Sequence, residues 1–347
     1  MMHPPAASDR FYEVVERIAP SLKLVEGSMR EQLRSASDLV SQVGDHVLGS
    51  GGKRIRPVLV LLCSELCGYS GPRCVQVAAA VELLHTATLL HDDVVDLSAL
   101  RRGRPSVNAI WGNRRAVLGG DFFYARASSM IVEDGNLDIL WIFADTIRSM
   151  AEGELLQLEH SFDATVTEAH YFSVIERKSA VLLSAACEAG AILGGVTRGE
   201  RRKLAEFGRE AGLAFQLRDD ALDYEAGQDV LGKRPHTDIR EGKVTLPLLL
   251  ALKRCTPAER EAVSEVLKNA ARVSELAPEV VAEALAAGEL DLSPALELVD
   301  RYRGVTDTVR RAEQHMTRAV AAIAPFSEGQ AKEDLLAAAR FAVGRDR

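Results

Sequence analysis

Val77-Ala78-Ala79-Ala80-Val81-Glu82-Leu83-Leu84-His85-Thr86-Ala87-Thr88-Leu89-Leu90 runs without a Gly or Pro straight into His91-Asp92-Asp93-Val94-Val95-Asp96. Ala and Leu favour helix, and with Glu82 and His85 inside it the run is too short and too polar to span a bilayer. It reads as a buried helix that carries its charged groups to one end. Working outward, Ala, Leu, Glu and Arg dominate the other long periodic segments, aromatic residues make up 5% of the chain, and no stretch alternates convincingly as a strand. The expected fold is all-α. A chain of 347 residues, 47% hydrophobic and 27% charged with only 12 Pro, is long enough to bury one large core.

Residues 1–10 read as a disordered tail and 11–347 as a single helical domain. A first helical pattern extends to Leu48, where Gly49-Ser50-Gly51-Gly52 breaks it. Further patterns lie at about 57–67, 74–96, 114–134, 137–161, 167–194, 199–225 and 238–254. The remainder from Pro257 continues as helices, with the weakest pattern at about 270–295.

The strongest chemical signal is a repeated one. Asp92-Asp93-Val94-Val95-Asp96 has a counterpart in Asp219-Asp220-Ala221-Leu222-Asp223. On a helix the first and last Asp of each cluster share a face, with side chains about 6 Å apart. Grouped carboxylates repel unless a cation or a proton neutralises them, and without a Cys or His ligand pattern the hard ion Mg²⁺ is indicated. Such ions are commonly completed by substrate phosphates, so two such faces opposed across a cavity would suit a phosphorylated substrate. One cluster alone reads equally well as a solvated acidic helix end; two, each followed by a basic segment, argue against that.

A formal charge of −8 argues against a nucleic-acid partner, which would need a basic face. Cys63, Cys67, Cys74, Cys187 and Cys255 are scattered and follow no secretory signal, as expected of a reduced, cytoplasmic protein. Cys63 and Cys67 are one turn apart, but without companion ligands they read as core.

Anions must therefore be met by local cations. Gly51-Gly52-Lys53-Arg54-Ile55-Arg56-Pro57 sets three of them in a Gly-led turn, with Pro57 suited to a first helical position; it reads as a diphosphate cradle or as a solvated basic turn. His85 stands two turns before Asp92 on the same face and is either a satisfied core histidine or a ligand contact. Arg101-Arg102-Gly103-Arg104-Pro105 follows the first cluster, Leu231-Gly232-Lys233-Arg234-Pro235 the second, and Lys178-Ser179 adds a cation beside a hydroxyl.

Gly51-Gly52-Lys53-Arg54-x-Arg56-Pro57, Leu89-Leu90-His91-Asp92-Asp93-x-x-Asp96 with Arg101-Arg102-Gly103, Phe215-Gln216-Leu217-x-Asp219-Asp220-x-Leu222-Asp223, and Gly242-Lys243-x-Thr245-Leu246-Pro247 together resemble the motif set of the trans-polyprenyl diphosphate synthases. The likeness is nearest to bacterial octaprenyl diphosphate synthases and runs from about residue 8 to Arg347. It implies an all-α isoprenoid-synthase bundle around a central cavity and a homodimer. It implies that Asp92, Asp96 and Asp219 bind Mg²⁺, three ions with substrate present, supported by Asp93, Asp220 and Asp223. Lys53, Arg56, His85 and Arg102 would hold isopentenyl diphosphate; Arg101, Lys178, Ser179, Gln216, Lys233 and Lys243 would hold the allylic diphosphate. The chain departs from the pattern at Ser179, often Thr in the family, and at Thr237, where relatives carry a second Asp.

The implied reaction is ionisation of an allylic diphosphate, attack by the isopentenyl double bond and loss of a proton, with water excluded. Thr88 and Ala87, four and five positions before Asp92, are small where aromatic residues mark short products in the family. The growing tail is therefore expected to pass toward Leu84 and the helix carrying Ser128, Ser129 and Met130. A long product is expected, octaprenyl from a farnesyl diphosphate primer, for a quinone side chain. A geranylgeranyl-type synthase and a non-catalytic partner subunit are the alternatives; a terpene cyclase would pair one Asp-rich motif with an Asn/Ser/Glu motif. A lipid product allows transient membrane contact at release, but the chain shows no anchor or polybasic segment.

Overall fold

The computed structural model describes residues 7–35, 37–225, 236–274 and 290–344. Its regular structure is helical apart from a two-residue antiparallel pair, β1 (Leu100–Arg101) with β2 (Arg104–Pro105). The sequence shows no strand there because two residues per strand carry no alternation. The chain divides into two compact units, where one domain was expected, and each is discontinuous in sequence. The first comprises Met1–Arg148, Ala180–Gly212 and Met316–Arg347; the second comprises Ser149–Ser179 and Leu213–His315.

In the first unit the expected opening helix is three: α1 (Ala7–Arg17), α2 (Ala19–Gln32) and α3 (Asp38–Gly49). Pro20 lies in the first turn of α2, where its missing N–H costs nothing, and so restarts the helix. Helix α1 takes in the last four residues of the expected tail, with Asp9 in the first turn to favour its N-terminus. Helices α4 (Ile55–Leu66) and α5 (Pro72–Val95) follow; Pro57 is the third residue of α4, not the first. Then come α6 (Val107–Trp111), α7 (Asn113–Asp134), the start of α8 (Leu137–Glu159), α10 (Val181–Leu193), and part of α11 (Arg198–Glu225).

Helix α5 is the centre of this unit. Val77, Ala78, Ala79, Ala80, Val81, Leu83, Leu84, Ala87 and Leu90 are all buried, covered by α7, α4, α2 and α10. It is long and apolar enough to cross a bilayer, yet two thirds of its apolar window is buried inside the protein. Burying a Leu side chain contributes about 2 kcal/mol, and Leu83→Ala would cost more, about 3 kcal/mol, through the cavity it leaves. Its buried Glu82 is answered by Arg54 at 3.0 Å. Helix α10 lies so close to α4 that a Cβ at Gly190 would stand 2.6 Å from the Val60 carbonyl oxygen. Cys63 is buried and Cys67 half-buried in this contact, and burial pushes the Cys67 thiol up to about 11, so both pack rather than ligate.

The second unit holds the end of α8, α9 (Glu168–Ile175), the end of α11, α12 (Thr237–Arg240), α13 (Leu246–Leu252), α14 (Pro257–Ser274), α15 (Ser293–Arg301) and part of α16 (Gly304–Ala322); α17 (Gln330–Val343) returns to the first unit. Thr167 caps α9 by accepting the His170 N–H at 3.2 Å. The expected helix at 167–194 is interrupted by a π-turn at Glu176–Ala180. The expected helix at 238–254 is split, because Gly242 takes φ +76° and Pro247 opens a new first turn. Residues 275–289, within the weakly patterned segment, lie outside the described residues.

Candidate active site

Asp93 is buried and Asp92 and Asp96 half-buried, so the middle acid of the first cluster faces the core and the outer pair does not. Asp96 caps α5, its N–H bonding the Asp92 carbonyl at 2.8 Å, which holds the two one turn apart as the spacing predicts. Arg101 grips Asp93 through Nε at 2.7 Å and Nη2 at 2.6 Å, and the Asn108 amide donates to the Asp93 carbonyl at 3.0 Å. This pairing neutralises one of three carboxylates and fixes the loop that follows.

That loop folds onto the Gly-led turn. Arg102, at φ +52°, donates to the Gly51 carbonyl, and Arg104 to the Gly49 carbonyl at 3.1 Å. Gly52 takes φ +150°, and a Cβ there would stand 2.5 Å from Arg102 Nη1. Two basic segments some fifty residues apart are thereby one cationic patch. His85 lies within it: burial, then Arg56, Arg102, Arg101 and Arg54, hold its pKa well below the ordinary 6.5. It is an uncharged imidazole at neutral pH. Lys53 is exposed, its ammonium 4.3 Å over the Phe341 ring of α17.

Leu84 and Ala87 are buried on α5, and Met130 on α7. Thr88, Ser128 and Ser129 are half-buried, and each hydroxyl donates within its own helix, to His85 O at 2.8 Å and to Tyr124 O and Ala125 O at 3.0 Å. Their polarity is met locally, which leaves the helix faces effectively apolar.

The second cluster repeats the burial pattern, with Asp220 buried and Asp219 and Asp223 half-buried. Its surroundings differ. Asp220 accepts from Tyr171 Oη at 2.5 Å and from Gln216 Nε2 at 2.8 Å, and Ser179 Oγ donates to Gln216 Oε1 at 2.7 Å. Asp223 accepts the backbone N–H groups of Thr237 at 3.0 Å and Asp238 at 3.1 Å, capping α12. Burial pushes the Asp220 carboxyl up to about 7, the two hydrogen bonds opposing and Asp219 and Asp223 adding to the rise. Asp238 is raised too, by burial and then by Asp220 and Asp223.

Lys178, Ser179, Gln216, Asp220, Asp238 and Lys243 line one cavity of about 130 Å³. Lys178 is held by Glu154 at 2.6 Å and Lys243 by Glu241 at 2.6 Å. The π-turn carrying Lys178 presses so near α8 that a Cβ on Gly153 would stand 2.9 Å from the Lys178 nitrogen. Lys233 lies outside the described residues. Tyr171, Glu154, Gly153 and Asn108 are contributors that the sequence reading missed. Only Tyr171 offered a signal, standing seven residues before Lys178, two turns on a helix.

The donor set fits a hard divalent cation. Four carboxylates crowd the second cluster, and a cation would relieve the repulsion that raises Asp220 and Asp238. Among the described residues no three acidic, His or Cys side chains converge on one point. Mg²⁺ accepts a site of few carboxylates completed by phosphate and water.

The polyprenyl synthetase family model matches residues 37–284. The chain is 38% identical to octaprenyl diphosphate synthase of Escherichia coli over 96% of its own length and 99% of the relative's. It is 36% identical, over 98% and 99%, to the all-trans-nonaprenyl-diphosphate synthase (geranyl-diphosphate specific) of Rhodobacter capsulatus. Its structure matches a Caulobacter crescentus polyprenyl synthase complexed with calcium and isoprenyl diphosphate, with a TM-score of 0.85, 37% identity and 99% of each chain covered. The chain belongs to the polyprenyl synthetase family, the prenyltransferases that build trans-polyprenyl diphosphates.

Proposed function

We propose that this enzyme extends farnesyl diphosphate by isopentenyl units to octaprenyl diphosphate, with Mg²⁺ as its metal, to supply a quinone side chain. The observation that carries the reading is the cavity that gathers Lys178, Ser179, Gln216 and Lys243 beside the second acidic cluster. Asp92, Asp96 and Asp219 are the Mg²⁺ ligands, and Asp93, Asp220 and Asp223 support them. Bound Mg²⁺ supplies positive charge to the departing diphosphate.

The protein's own groups do the remaining work. Arg101, Lys178, Ser179, Gln216, Lys233 and Lys243 hold the allylic diphosphate and stabilise charge as its C–O bond breaks. Lys53, Arg56 and Arg102 hold isopentenyl diphosphate, and neutral His85 adds a hydrogen bond without further charge. The double bond attacks the allylic carbon, and the proton released passes to the departing diphosphate. The buried apolar side chains of α5 keep water from the cation.

Long product is supported by small, buried Ala87 and by octaprenyl and nonaprenyl relatives at near-full length. A second copy of the chain is the expected partner, since α7 and the start of α8 expose Leu118, Val132, Leu137 and Trp141, the last 73% exposed. The cytoplasm is the expected setting. The test is incubation with Mg²⁺, labelled isopentenyl diphosphate and farnesyl diphosphate, with products sized after dephosphorylation. A dominant product near eight isoprene units is expected. A four-unit product would overturn the length assignment alone, and no product with any allylic primer would overturn the function.

A further inference from the structure

Tyr171 takes no part in the assignments above, yet it is 4% exposed and its hydroxyl is committed to a buried acid. The Oη donates to Asp220 Oδ2 at 2.5 Å. Asp220 then accepts Gln216 Nε2 on its other oxygen at 2.8 Å. This fixes which end of the Gln216 amide is the donor: Oε1 must face Ser179, whose Oγ donates to it at 2.7 Å. Tyr171 thus joins α9 to α11.

We propose that Tyr171 is a positioning residue: it orients Asp220, and through it Gln216, so that Gln216 presents its Nε2 group to the allylic diphosphate. The inference rests on the reading of that cavity as the allylic-diphosphate pocket. With both carboxylate oxygens already accepting, Asp220 is the hub of this relay, and the second Nε2 hydrogen of Gln216 is left to serve the substrate.

Tyr171→Phe deletes the bridge and keeps the ring. Losing one hydrogen bond to a charged group corresponds to about tenfold in affinity. The variant should raise KM for farnesyl diphosphate about tenfold and leave KM for isopentenyl diphosphate unchanged. Binding of farnesyl thiolodiphosphate, which does not ionise readily, should weaken equally by calorimetry in Mg²⁺. Tyr171→Phe combined with Gln216→Ala should be no weaker than Gln216→Ala alone. Equal movement of both KM values, additive losses in the double variant, or a lowered melting temperature with unchanged thiolodiphosphate binding would reduce Tyr171 to a core residue and overturn the inference. Wild-type protein that binds no thiolodiphosphate would instead overturn the reading of the pocket.

Discussion

The two acidic clusters share one sequence pattern and one burial pattern, yet their buried middle acids are answered by opposite chemistry. Asp93 meets a guanidinium at 2.6 Å, amid a patch that gathers Arg54, Arg56, Arg101 and Arg102 about His85. Asp220 meets the uncharged donors Tyr171 and Gln216 and shares its surroundings with Asp219, Asp223 and Asp238. The first cluster is therefore partly neutralised by the protein itself. At the second, neighbouring carboxylates add to the burial that raises Asp220. One motif can thus bury its middle acid as an ion pair in one setting and among uncharged donors in another, and only the neighbours decide which.

The largest expected effect tests what the clusters share. Asp92→Asn and Asp219→Asn each remove an outward carboxylate, and turnover should fall by about 10³ or more while the melting temperature holds. Retained activity in either variant would take that residue out of the metal site. The middle acids should separate the clusters. Asp93→Asn leaves the Arg101 charge without its carboxylate and should cost about 2 kcal/mol of stability by denaturant unfolding. Asp220→Asn removes a carboxyl that burial already disfavours in its charged form, and should cost less.

The pH dependence should separate them again, with opposite slopes. Asp220 titrates near 7 in the folded chain against an ordinary 3.8, so the folded state holds a proton there that the unfolded state releases. Its contribution to stability is present at low pH and lost as pH rises from about 4 to about 7. His85 is depressed below 6.5, so the unfolded state binds the extra proton and stability is lost as pH falls below about 6.5. In a chelator, Asp220→Asn should flatten the neutral limb of the melting profile by a few degrees and His85→Gln the acid limb. Identical profiles in variant and wild type would reject either assignment. The smallest effect in free energy is Ala87→Tyr, which should shorten the product by one or more isoprene units while the first condensation keeps its rate; an unchanged product would remove Ala87 from the tail's path.

Much of this was legible because it is local. The buried run of α5 and the i to i+4 relation of Asp92 and Asp96 both follow from spacing within one element. What was not legible depends on contacts distant in sequence. That Arg101 closes on Asp93 follows from the turn through Arg102 and Gly103, both at positive φ. Tyr171 reaches Asp220 across 49 positions. The π-turn at Glu176–Ala180 shows no break in hydrophobic pattern, because one extra residue in a turn changes which face Lys178 occupies without changing composition. The split at Gly242 was overridden in the sequence by the apolar stretch after it, although Gly242 and Pro247 both marked it.

The central claim is that Lys53, Arg56 and Arg102 serve isopentenyl diphosphate while the Lys178–Ser179 turn serves the allylic diphosphate. The most direct test is steady-state kinetics of Arg56→Ala and Lys178→Ala with each substrate varied in turn. The account predicts that Arg56→Ala raises KM for isopentenyl diphosphate about tenfold and leaves the farnesyl diphosphate KM near wild type, with Lys178→Ala doing the reverse. Equal rises in both KM values for both variants would contradict it.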